Sequence, residues 1–239
     1  KVDSNDREPL RRVALVQHAS YLNLKVLGPY EIIDAQTKKV LSRGNNLKTT
    51  VTAYKGMTFV GALRLRSQKL YIKTKPREPV ILDGKWFRGD LEFVRVDSDT
   101  LCVVNYIEIE DYVKGILYHE VSHYWPQEAL KAQAVVSRSY ALNQAKENVA
   151  KDFDVTSDVY SQVYGGMSAE RYRTNEAVEA TRGKVLLYKE KFFPAYFHAT
   201  CAGHTEDASL LWNVDIVPLK GVACGFCKES PHFSWHQVF

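Results

Sequence analysis

Long apolar runs are missing from this 239-residue chain. None reaches the ~18 residues that a bilayer-spanning helix requires. The N-terminal stretch KVDSNDREPL is polar, so an exported form would have lost its signal segment from this chain. Cysteine is scarce: four residues are too few for a disulfide scaffold. Internal repeats and low-complexity tracts are absent as well, which argues against a solenoid or a tail without a core. Charge of one sign is lacking. Lys and Arg total 32 against 28 acids, a net of +4. So small an excess suits a weakly anionic polymer or ordinary solvated lysines, and no nucleic-acid partner is expected. What is present is ordinary for a folded globular protein, 45% hydrophobic and 25% charged. The length allows one large domain or two small ones, with a real core.

From Arg12 to about Val104 the pattern is that of strands. Leu22, Leu24 and Val26 alternate with Asn23 and Lys25, the period of a sheet with one buried face. Similar runs recur at TTVTAY, GALRLR, KLYIKT, PVILDG and LEFVRV, with GPY, RGNN, KPREP and LDGK as turn signals. Cys102, inside LCVV, reads as a small buried hydrophobe. At Asn105 the character changes. YIEIEDYVKGIL predicts a short helix with its acids early, and Pro126 to about Asn148 a longer, mostly buried one. A third helix is expected over Glu170–Thr181, followed by paired strands KVLLY and FFPAYFHAT around a KEK turn. The expected fold is α+β: a β-rich region over 11–104 packed against a mixed helical and β region over 105–239.

Between the first two helices lies YHEVSHYWP, in which His119-Glu120-Val121-Ser122-His123 matches H-E-x-x-H. In a zinc peptidase the two histidines share one helical face, because the metal needs both imidazoles at once. Pro126 follows His123 by three residues and cannot continue a helix begun upstream. The segment therefore reads as a loop, and the metal reading is set aside. A carboxylate among Tyr118, Val121, Tyr124 and Trp125 is partly desolvated, the condition under which a general acid stays protonated near neutral pH.

The stretch EDYVKGILYHEVSHYWPQEALKAQAVVSRSYAL resembles the stage II sporulation protein D family. SQVYGG, EAVEATRGKVLLY, FHATCAGHTEDA and, upstream, WFRGDLEF agree with it, so the resemblance runs from about Arg12 to Trp235. It implies a lytic transglycosylase, or an amidase-enhancer relative, acting on bacterial peptidoglycan outside the cytoplasm. Glu120 then stands at the catalytic position and needs no metal. One acid suffices for that reaction, whereas hydrolysis normally takes two carboxylates. The resemblance further implies that Lys131, Gln133 and Arg138 line the cleft, that Gln162 and Tyr164 touch sugar, and that His198 stands beside them. Glycan strands are the expected partner, with a cell-wall amidase or another envelope protein as a second. A binding module that enhances an amidase without cleaving is the alternative from another class.

Cys201-Ala-Gly-His204 and Cys224-Gly-Phe-Cys227 form two short-spaced pairs about twenty residues apart. That spacing suits a structural zinc held by three thiolates and one imidazole, with His232 or His236 able to replace His204. A disulfide from Cys201, a Cys224–Cys227 redox pair, and free thiols are the competing readings. No cofactor is expected for the catalysis itself.

Overall fold

The computed structural model describes residues 10–75 and 78–234. Its strands are β1 (Leu10–Ala19), β2 (Tyr21–Asp34), β3 (Val40–Tyr54), β4 (Met57–Val60), β5 (Leu63–Leu65), β6 (Lys69–Thr74), β7 (Val80–Leu82), β8 (Lys85–Phe87), β9 (Asp90–Arg95), β10 (Leu101–Glu108) and β11 (Val155–Thr156). They form one sheet ordered β11-β1-β10-β9-β6-β2-β3-β4-β5, with β7 on β2 and β8 on β7. Neighbours are antiparallel except β11, which runs parallel to β1. Four helices follow or interleave: α1 (Ile109–Glu120), α2 (Gln127–Glu147), α3 (Tyr172–Ala180) and the short α4 (Ala208–Trp212). The architecture is α+β.

The alternation in β2 works as the sequence suggests: Leu22, Leu24 and Val26 are buried while Tyr21, Asn23 and Lys25 are exposed. Each fully buried leucine or valine contributes about 1.5–3 kcal/mol relative to exposure. The strand is longer than the turn signals allow, however. GPY is no turn but a bulge inside β2, and RGNN lies inside β3 opposite it. Gly28 takes φ +114° at the bulge, a conformation that costs glycine little. The bulge lets one strand serve two partners, Leu24–Val26 on β7 and Tyr30–Asp34 on β6. The hairpin closes instead after Asp34, whose carboxylate accepts from the Gln36 and Thr37 N–H groups.

The boundary expected near residue 104 falls inside β10, and the core runs unbroken from Val13 through Leu91 and Ile107 into Ile116 and Leu130. β10 hands the chain directly to α1, with Glu110 and Asp111 in the first turn. Ile109, Tyr112, Val113, Ile116 and Leu117 bury one stripe of α1. Cys102 is buried beside Ala14, Val94 and Val104.

The strands expected over KVLLY and FFPAYFHAT do not form; an isolated bridge joins Tyr188 to Lys191. This backbone is claimed by α2. The Arg138 guanidinium donates to the Lys184 carbonyl, and Ser139 Oγ accepts the Leu186 N–H. Chain laid across a helix by such bonds has no neighbouring strand with which to build a ladder.

Candidate active site at the end of the first helix

Glu120 is the last residue of α1. Val121 then turns extended at φ −143°, and the chain loops to Pro126, which caps α2. The first two residues of the H-E-x-x-H match are thus helical and the last histidine is in the loop. His119 Nε2 lies against Gly165, where an added Cβ would sit 2.7 Å from it. His123 instead stacks on Tyr124, ring centroids 4.0 Å apart. Among the described residues the two imidazoles form no metal-capable cluster with Glu120. The loop is held from below by α3: Arg173 donates to the His123 and Trp125 carbonyls, and Arg171 lies 4.2 Å over the Tyr118 ring. Tyr124 and Trp125 remain exposed on its outer side.

The Glu120 carboxylate is half-buried, and no hydrogen bond or ion pair engages it among the described residues. Burial raises its pKa above the ordinary value, and no neighbouring charge contributes. Its place at the C-terminal, negative end of α1 works in the same direction, since a carboxylate there meets the wrong end of the dipole. His119 is pushed the other way by burial, then by Arg171 and Lys85, and so stays neutral more readily.

A consequence for stability follows from the sign. Folded Glu120 holds its proton above the ordinary value of 4.5, so between the two values the folded state binds more protons than the unfolded one. Stability therefore falls as pH rises through that window and does not recover above it. Glu120→Gln removes this cost. Denaturant curves should find the variant at least as stable as wild type at pH 7, with the gap closing below about pH 4. A variant less stable at pH 7 would show that ionised Glu120 has a favourable partner.

Beneath Glu120, the buried Tyr112 phenol donates to Gln162 Oε1 at 3.2 Å. Burial, then Tyr140, Tyr164 and Glu120, raises the pKa of that phenol well above its ordinary value. Gln162 Nε2 is buried without any partner, and an orphaned amide donor of this kind calls for an explanation.

The other expected contacts separate into two groups. Tyr164 is not a sugar contact. Its ring is buried against Tyr112 and Phe87, and its hydroxyl donates to Asn105 Oδ1. Gly115 and Gly166 make room for this packing. An added Cβ on Gly115 would lie 2.4 Å from the Tyr164 ring, and one on Gly166, at φ +57°, would lie 2.4 Å from the Trp86 carbonyl. Arg138 does not line the cleft either. It is 1% exposed and forms a bidentate pair with Glu110, at 2.9 and 2.6 Å. Lys131, seven residues earlier, is partly exposed and paired with Glu128. Gln133 donates to Ser137 Oγ one turn on, and His198 is exposed. Spacing along α2 predicts a face for Arg138 but not the acid that it meets.

A cavity of about 660 Å³ opens at the opposite end of α1, lined by Glu110, Arg138, Leu142, Val185 and Phe192 among others. At 1.5 Å rise per residue it lies about 15 Å from Glu120 along the helix.

Cys201, Cys224 and Cys227 bring their sulfurs within 4.8 Å of one another. His204 does not join them. It bridges Ala223, and residues directly opposite in such a pair share a face, which turns Cys224 to the other side. His232 is exposed and also outside the group; His236 lies outside the described residues.

Residues 97–188 match the family model SpoIID, Stage II sporulation protein. The chain is 35% identical over 221 residues to an uncharacterised protein of Brachyspira hyodysenteriae, covering 92% of this chain and 59% of that one. It is 34% identical over 165 residues to the amidase enhancer of Bacillus subtilis, covering 65% and 22%. Against the stage II sporulation protein D of the same organism it is 31% identical over 190 residues, covering 73% and 54%. The chain thus spans little more than half the length of the first and third relatives and about a fifth of the second. The matched residues carry all of β10, α1, α2 and α3, and the Glu120 loop between the first two helices, and this chain belongs to the SpoIID, stage II sporulation protein, family.

Proposed function

We propose that this chain is a peptidoglycan lytic transglycosylase of the cell envelope, cleaving the bond between N-acetylmuramic acid and N-acetylglucosamine. The observation that carries the reading is Glu120: half-buried, raised in pKa by burial alone, with no carboxylate or cation perturbing it. Hydrolases pair two carboxyl groups about 5–9.5 Å apart, whereas a lone acid suits a reaction that needs no external water. Protonated Glu120 gives its proton to the glycosidic oxygen as the C1–O bond breaks. The resulting carboxylate takes the proton of the muramoyl C6 hydroxyl, whose oxygen closes on C1. One group serves as acid and then base, and the product is a 1,6-anhydro end.

Exposed Tyr124 and Trp125 offer faces for sugar rings beside Glu120. The partly exposed Lys131 and Gln133 and the exposed His198 remain the candidate polar contacts, whereas Gln162 is as buried as Tyr164. No helix among the described residues is long and apolar enough to cross a membrane. A second reading, a glycan-binding module that enhances an amidase without cleaving, is favoured by the relative named amidase enhancer.

Mass spectrometry of soluble fragments released from purified peptidoglycan and from peptide-free glycan separates the two. Anhydro-ended fragments are expected. Glycan retention with no fragments would support the binding module instead.

A further inference from the structure

From Arg182 to Ser234 the chain has almost no core of its own. Ala195 and Ala208 are its buried hydrophobics among the described residues, while Leu210, Leu211 and Phe226 face solvent. It has the five-residue α4 and one 3-10 turn for regular structure. A segment so poor in burial needs a staple to hold one conformation. The two limbs that carry the three thiols do hold one. Cys224 N–H donates to the Gly203 carbonyl and Thr205 N–H to the Val222 carbonyl, with the His204–Ala223 bridge between. Ala202 and Gly203 both take positive φ, 52° and 99°, folding the chain sharply behind Cys201.

From this geometry we propose that Cys201, Cys224 and Cys227 bind one structural zinc ion as thiolates. At Zn–S distances of about 2.3 Å, tetrahedral sulfurs stand about 3.8 Å apart. Here Cys201 and Cys227 sulfurs are 3.4 Å apart and all three lie within 4.8 Å. A disulfide would use two sulfurs and leave the third without purpose; a metal accounts for all three. Such a site would hold whether or not the chain cleaves glycan. Its effect is to tie the FHATCAGHT limb to the 221–227 limb.

The test uses the purified chain kept under reducing conditions. Elemental analysis should find about one zinc per chain. Exchange for cobalt should give thiolate-to-cobalt charge-transfer absorption, and Cys224→Ser should lose both the zinc and that absorption. Because a variant can fail by misfolding, the wild-type chain supplies a second readout. Chelation should open protease cleavage between residues 198 and 234, and added zinc should close it. Wild-type protein that takes up neither metal would overturn the proposal, as would a disulfide within the triad. Zinc lost from His119→Ala would overturn it too, by placing the metal at the end of α1.

Discussion

Glu120→Gln should lower glycan cleavage at least about 1,000-fold, since one carboxyl here performs both proton transfers and each such role is worth ~10²–10⁴. The amide keeps the size and the half-buried position of the acid but can neither give nor take the proton. Binding to peptide-free glycan should persist, because the residues offered for sugar contact are untouched. The measurement is fragment release beside glycan retention, on wild type and variant. Unchanged release would remove Glu120 from the chemistry. Loss of retention together with release would make it a binding residue.

The second large effect concerns Arg138 and Glu110. Their pair sits at 1% and 3% side-chain exposure, and Arg138 also donates to the Lys184 carbonyl at 2.9 Å. Arg138→Ala leaves a buried carboxylate that keeps the Gly183 N–H as a donor. Breaking one side of a buried pair costs about 3–5 kcal/mol, which lowers the Tm of a chain this size by roughly 6–20 °C. Replacing both residues together, as Glu110→Gln with Arg138→Met, should cost less than the sum of the single changes. Additive losses would show that the two side chains stabilise the fold independently. Arg138 therefore bears on the site only at a distance, by docking α2 on the helix that ends in Glu120.

These two residues also mark how far the sequence could be read. The junction of two helices was legible because Pro126 cannot continue a helix begun upstream, but the loop was expected to include His119 and Glu120, and α1 runs to Glu120 before it ends. Strands were legible wherever one face is buried, as in β2, since burial writes its own period into the chain. The bulge at Gly28 was not, because a glycine-proline pair signals a turn in most settings and only the two-partner pairing of β2 shows otherwise. Arg138 misled for a related reason. Helical spacing assigns it a face in common with Lys131, but whether that face meets water or a buried acid depends on where α1 packs. The same holds for Tyr164: an aromatic beside two glycines looks like a ligand contact until Gly115 is seen to admit its ring. KVLLY carries strand composition, yet its hydrogen bonds go to Arg138 and Ser139, residues some forty-five positions earlier.

The central claim is that Glu120 cleaves glycan with no attacking water. Digestion of purified glycan strands in heavy-oxygen water, followed by mass spectrometry of the new muramoyl ends, tests it directly. The account predicts 1,6-anhydro ends that carry no heavy oxygen, lost in Glu120→Gln. Reducing ends that incorporate heavy oxygen would contradict it and require a second carboxylate within reach of Glu120.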